Sequence, residues 1–164
     1  MRRQTFCLAG LIAATAPARA ETAASFRVSA SVSRGCRIVT DDANRLGSID
    51  LGSVAGLRSR TVEGALISAA GAGVSVECTP GVSASLSADK GEHPSGGERQ
   101  LKLTTGLALI PYRLFADGQA APWTDALPLP SGGRRLIPVR AVATLAGPAV
   151  AGTYTDTVRV TLSW

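Results

Sequence analysis

The chain has 164 residues, 45% hydrophobic but only 4% aromatic, with 17 Lys and Arg against 12 Asp and Glu and a formal charge of +5. Its basic residues are scattered, without the clustering and interleaved aromatics of a nucleic-acid surface, so no nucleic-acid partner is expected. The apolar content is cut into short pieces by 18 Gly and 9 Pro, which excludes an integral membrane segment of about 20 apolar residues and favours an all-β fold.

Arg2 and Arg3, a short apolar run over residues 6–16 and Ala18-Arg19-Ala20 read as a secretory signal peptide, residues 1–20, removed after Ala20. Cys7 leaves with it. So do Arg2, Arg3 and Arg19, which leaves 14 basic against 12 acidic residues, a balance of +2. The mature chain is expected to be exported as a single domain.

Residues 21–35 follow as an N-terminal extension. Phe26, Val28, Ala30 and Val32 alternate with Arg27, Ser29, Ser31 and Ser33, the period of a strand with one apolar face. It reads either as the domain's own first strand or as a strand given to another molecule. Further strands are expected over residues 37–40, 46–51, 61–69, 74–78, 82–88, 101–103, 107–115 and 136–144. A polar turn at residues 41–44, a Gly-rich polar loop at 89–100 and a Pro/Gly-rich connection at 116–133 separate them, and Arg134-Arg135 beside Gly132-Gly133 reads as an exposed turn. No stretch has helical periodicity. Turn signals every ten or so residues point to a β-sandwich over residues 36–164.

The last thirteen residues, GTYTDTVRVTLSW, alternate most clearly. Tyr154, Val158, Val160, Leu162 and Trp164 share one face with Asp156. Thr155, Thr157, Arg159, Thr161 and Ser163 share the other. Two readings stay open: a plain final core strand, or a strand gripped by another protein before its own fold is complete. A carboxylate on the apolar face needs hydrogen-bond donors, so Asp156 is expected to accept from backbone amides of a turn. Tyr154 is expected to pack as a corner residue with its hydroxyl paired.

Cys36 and Cys78 survive processing. In an exported chain such a pair is expected to form a disulfide. A metal pair is the alternative, but His93 is the only histidine and no acidic cluster flanks either cysteine. No catalytic, cofactor-binding or metal-ligating set is found. His93 lies in a loop and reads as solvated. There is no G-x-S-x-G elbow, and Gly71-Ala72-Gly73 lacks the third glycine of a dinucleotide fingerprint. The chain is therefore expected not to be an enzyme and to need no cofactor. Trp123, in its Pro-rich connection, is the one aromatic suited to stacking on a sugar if exposed.

Several of these segments together resemble the spore coat protein U-like family, which includes subunits of archaic chaperone–usher pili. They are the alternating strand before Cys36, Leu46-Gly47-Ser48-Ile49-Asp50-Leu51-Gly52, Val74 to Cys78, Tyr112-Arg113-Leu114-Phe115-Ala116-Asp117 followed by Trp123, and the ending Gly152 to Trp164. Arg140-Ala141-Val142 departs from the aromatic-Gly pair common there. The resemblance implies an immunoglobulin-like sandwich lacking its last strand and completed by donor-strand complementation. It implies a donor strand carrying Phe26, Val28, Ala30 and Val32, and a C-terminal strand presenting Tyr154, Val158, Val160, Leu162 and Trp164 to a chaperone. The Trp164 carboxylate would be a handle for basic residues of the chaperone cleft. The implied partners are neighbouring pilus subunits, a periplasmic chaperone and an outer-membrane usher. The implied route is through the periplasm to the cell surface, and the implied role is a pilus subunit supporting adhesion and biofilm formation. The alternative is a stand-alone, coat-type sandwich that binds surface polysaccharide.

Overall fold

The computed structural model describes residues 22–164, so the expected signal peptide lies outside the described residues. Residues 22–32 and the domain Ser33–Trp164 are separate units. The first has no strand pairing, and Phe26, Val28 and Val32 are each more than 80% exposed.

The domain's strands succeed one another along six long paths. They are β1 (Cys36–Ile38) with β2 (Gly47–Ile49), β3 (Arg60–Ser68) with β4 (Val74–Cys78), and β5 (Ala84–Ala88) with β6 (Arg99–Leu103). Then come β7 (Leu109–Ala116) with β8 (Leu127–Leu129), β9 (Gly133–Ile137) with β10 (Val139–Leu145), and β11 (Tyr154–Thr155) with β12 (Val160–Ser163). Every path changes sheets midway. One member joins a six-stranded sheet, order β11-β6-β7-β10-β3-β2, and the other joins β1-β4-β9 or β12-β5-β8. All the ladders are antiparallel. Pro138, which has no N–H to give a ladder, marks the change between β9 and β10. Gly71 and Gly73, at φ of 122° and 139°, mark it between β3 and β4, where only glycine bends freely. Among the described residues no helix is long and apolar enough to cross a membrane.

Register defines two ends. Leu145 faces Arg60, Lys102 faces Leu109 and Tyr154 faces Leu103, so the loops 50–59, 104–108 and 146–153 share what we call the loop end. Cys36 faces Cys78, Cys78 faces Gly133 and Ser163 faces Ser85. The connections 79–83 and 130–132 therefore share the opposite, disulfide end.

The core forms by strict alternation in the central strands. Ile110, Tyr112, Leu114 and Ala116 of β7 and Val139, Ala141, Ala143 and Leu145 of β10 are all buried. Each large aliphatic side chain buried this way contributes roughly 1.5–3 kcal/mol. One continuous apolar cluster joins all three sheets.

The strands at residues 74–78 and 101–103 fall where expected, and several neighbours differ in detail. The 61–69 segment is the nine-residue strand β3, between β10 and the edge strand β2. The 116–133 connection contains β8, whose Leu127 and Leu129 are buried on either side of exposed Pro128. Arg134 and Arg135 lie in β9 rather than in a turn. Arg134 sits 3.6 Å from Glu77, and Arg135 donates to Asp117 at 2.7 Å. Cross-strand partners distant in sequence make a strand of two adjacent arginines that local reading takes for a turn. At Arg140-Ala141-Val142, Arg140 stacks 4.1 Å over the Phe115 ring on the outer face, while Ala141 is buried.

Candidate functional site: an open groove

The final strand is not continuous. β11 pairs with β6 in the large sheet, β12 pairs with β5 in a small one, and residues 156–159 between them belong to no ladder. Alternation survives throughout: Tyr154, Asp156, Val158, Val160 and Leu162 are half-buried and the odd positions exposed. Trp164, expected on the apolar face, is 65% exposed.

β2 is paired on one side only, with β3. A groove of about 330 Å³ separates its free edge from the final strand. Leu46, Ile49 and Leu51 line one wall, and Asp156, Val158 and Val160 line the other. Leu66, Tyr112, Leu114, Trp123 and Ala141 lie between them and belong to the core itself. Close-packed interiors leave few voids larger than a water molecule. An opening of this size, bordered by unpaired strand edges on both sides, leaves part of the core uncovered. Nearer the disulfide end, β1 and β12 lie side by side but form no ladder.

A polar clamp holds the unladdered stretch in place. The Asp156 side chain is 1% exposed. It accepts the Tyr112 hydroxyl at 2.6 Å and the Glu92 amide at 2.9 Å, and lies 3.2 Å from His93 Nδ1. Burial and the hydrogen bond to Asp156 push Tyr112 ionisation well above the ordinary phenol range, so the phenol stays a donor. A second carboxylate works in the opposite direction: Asp89 accepts from the Arg159 amide at 2.9 Å, and its own amide donates to the Arg159 carbonyl at 3.0 Å. The loop 89–98 thus supplies bonds that a neighbouring strand would otherwise give. Gly91 must be glycine, since its φ is 80° and a Cβ would collide with the Asp156 carboxylate. Asp156 accepts from a turn amide as expected, but His93 is not a free solvated residue. Their contact spans 63 positions, which no local pattern encodes.

Replacing Asp156 by Ala strands the buried Tyr112 hydroxyl, at roughly 1–3 kcal/mol, while the Glu92 amide, in an exposed stretch of loop, turns to water. Urea unfolding of Asp156→Ala is therefore expected to lose about 2 kcal/mol with an unchanged slope, and Asp156→Asn, which keeps an acceptor, less. An unchanged midpoint in Asp156→Ala would remove the clamp.

Tyr154 donates to the Val150 carbonyl at 2.8 Å, the corner arrangement in which a tyrosine fixes the entry to a late strand of an immunoglobulin-like sandwich. Cys36 and Cys78 form the expected disulfide between directly opposed residues of β1 and β4. Three buried polar residues escaped the sequence reading: Ser75, 1% exposed on what alternation makes the polar side of β4, and two at the end of the 89–100 loop. Arg99, 7% exposed, gives its guanidinium to the carbonyls of Asp89, Ala88 and Trp123. Gln100, facing Pro111, is 8% exposed. Their only signal was position at the end of a polar loop. Trp123 is 6% exposed and part of the core, not a surface aromatic. The polysaccharide alternative loses the residue put forward for it; the exposed indole of the domain is that of Trp164.

Among the described residues no three His, Cys, Asp or Glu side chains are grouped to hold a metal. Trp123 Nε1 is buried without an acceptor, and its indole lines the groove.

Fold and groove together define an all-β, immunoglobulin-like sandwich with an open apolar groove beside β2. The chain belongs to the Spore Coat Protein U domain family, whose model matches residues 22–161. A comparison with curated proteins finds no match. Among solved structures, the chain is similar to a chaperone–tip adhesion subunit pre-assembly complex from archaic chaperone–usher Csu pili of Acinetobacter baumannii. The identity is 20% and the TM-score 0.53, over 81% of this chain and 40% of that one. The chain thus spans about two fifths of the length of the chain it matches. The P pilus rod subunit PapA matches at 16% identity and a TM-score of 0.46, over 78% of this chain and 97% of that one.

Proposed function

We propose that this chain is a structural subunit of a surface pilus, polymerised by strand exchange. The groove between β2 and the final strand carries the reading. It presents free backbone edges and an apolar floor, the two things strand addition needs: main-chain hydrogen bonds and pockets for alternate side chains. The segment with Phe26, Val28, Ala30 and Val32 is unpaired and exposed, and its alternation suits such pockets in another copy. Its polar positions would face solvent.

An open groove with free edges is an aggregation hazard. A periplasmic chaperone strand covers it in transit, and an outer-membrane usher exchanges that strand for a neighbour's. Residues 1–20 direct export and are removed. The role is structural rather than catalytic, and the assembled fibre supports adhesion and biofilm formation.

A denaturing gel of the exported protein, loaded with and without boiling, tests the reading. The expected result is an unboiled ladder that collapses to one band on boiling. A single monomer band from cells that also make the chaperone and usher would overturn it.

A further inference from the structure

The loop end of the domain carries exposed apolar tips; its loop 50–59 also holds Asp50 and Arg58, both exposed, and the other two loops are uncharged. The segment 146–152 reads Ala-Gly-Pro-Ala-Val-Ala-Gly and the β6–β7 turn Thr-Thr-Gly-Leu-Ala, with no charged side chain in either. Backbone bonds join the three loops: the Ala149 amide donates to the Gly56 carbonyl at 2.8 Å, and the Thr104 amide to the Thr153 carbonyl at 2.9 Å. Their tips carry Leu57, Leu107 and Val150, which are 80%, 87% and 60% exposed. Single exposed apolar residues need no explanation, but a group of them on bonded loops marks an interaction surface.

Chain length says what covers it. Only Ser33, Arg34 and Gly35 separate Val32 from Cys36, four Cα steps of 3.8 Å, so the two are at most about 15 Å apart. Cys36 opens β1 at the disulfide end. Wherever a donated Val32 leaves the acceptor's groove, the donor's disulfide end must therefore follow within that reach. If it left at the acceptor's disulfide end, each copy would crowd both neighbours onto that one end. If it leaves at the loop end, each end meets one neighbour, and the contact repeats head to tail as an open fibre requires. The groove leads there: Leu51 lines its wall, and the same loop carries Leu57. The disulfide end is a fitting counterpart, with uncharged connections 79–83 and 130–132, exposed Pro80 and Pro130, and the Trp164 indole.

We propose that the loop end of each copy is the seat of the next copy's disulfide end, with Leu57, Leu107 and Val150 buried between them. This rests on the strand-exchange reading. It also sets the direction of the donated strand, which runs so that Val32 emerges at the loop end.

Photo-cross-linking of the full-length exported polymer tests both. A benzoylphenylalanine is placed at the position of Val32 in one preparation and of Leu107 in another. The expected result is a light-dependent dimer from each. Peptide mapping should join position 32 to the groove of a second copy, and position 107 to residues 79–83, 130–132 or Trp164 of a second copy. A dimer from position 32 but none from position 107 overturns the end contact and leaves strand exchange standing; Leu107 then faces solvent or a foreign apolar surface. No dimer from either position overturns both.

Discussion

Val28→Asp is expected to leave the domain folded and to abolish the boiling-sensitive ladder. Val28 is 82% exposed and unpaired, so the change costs the free chain almost nothing. The donated strand would feel it fully. Its apolar face must enter a groove floored by Leu66, Leu114 and Ala141, with the buried Asp156 carboxylate in one wall. A short charged side chain cannot reach back to water as a long one can, and burying it unpaired costs several kcal/mol. At roughly 4 kcal/mol, occupancy falls about a thousandfold. Arg27→Ala, on the opposite face of the same segment, is expected to polymerise like the wild type. A normal ladder from Val28→Asp would mean that this face does not enter a groove.

Loss of the disulfide is the second large effect. β1 has only three residues. Beyond the disulfide, its start is tied to β4 by the Gly35–Thr79 bonds, among them the Thr79 amide to the Gly35 carbonyl at 2.9 Å. Closing a loop of sequence separation 42 stabilises by roughly 4 kcal/mol in the chain-entropy picture. Reduction, or Cys36→Ser with Cys78→Ser, is expected to lower the urea midpoint by that equivalent and to loosen β1, which leads into the groove's first wall. An unchanged midpoint on reduction would show that the β1–β4 ladder suffices. Because segment 33–35 links the proposed donor strand to β1, reduced protein is also expected to assemble poorly.

The sequence by itself determined the strand character of the chain, the cysteine pair and the alternating final segment. Each rests on a signal local in sequence: a period of two, a pair of thiols in an exported chain, a run of turn residues. The half-burial of Val158, Val160 and Leu162 follows the apolar face read from the sequence, and Trp164, 65% exposed, departs from it. What it packs against was not legible, because a face states only that it must be covered. Tertiary structure alone decided that the final strand splits between two sheets and that β2 keeps a free edge opposite it. It also joined His93, Tyr112 and Asp156 in one clamp and drew Trp123 and Arg99 into the interior. These are contacts between residues tens of positions apart, and hydrophobic periodicity carries no information about which distant strand completes a ladder. Trp123 illustrates the limit most plainly. Proline-rich surroundings give it the local pattern of a surface loop. The core's need for a large side chain beside Tyr112 and Leu114, which only the packed sheets create, places it inside.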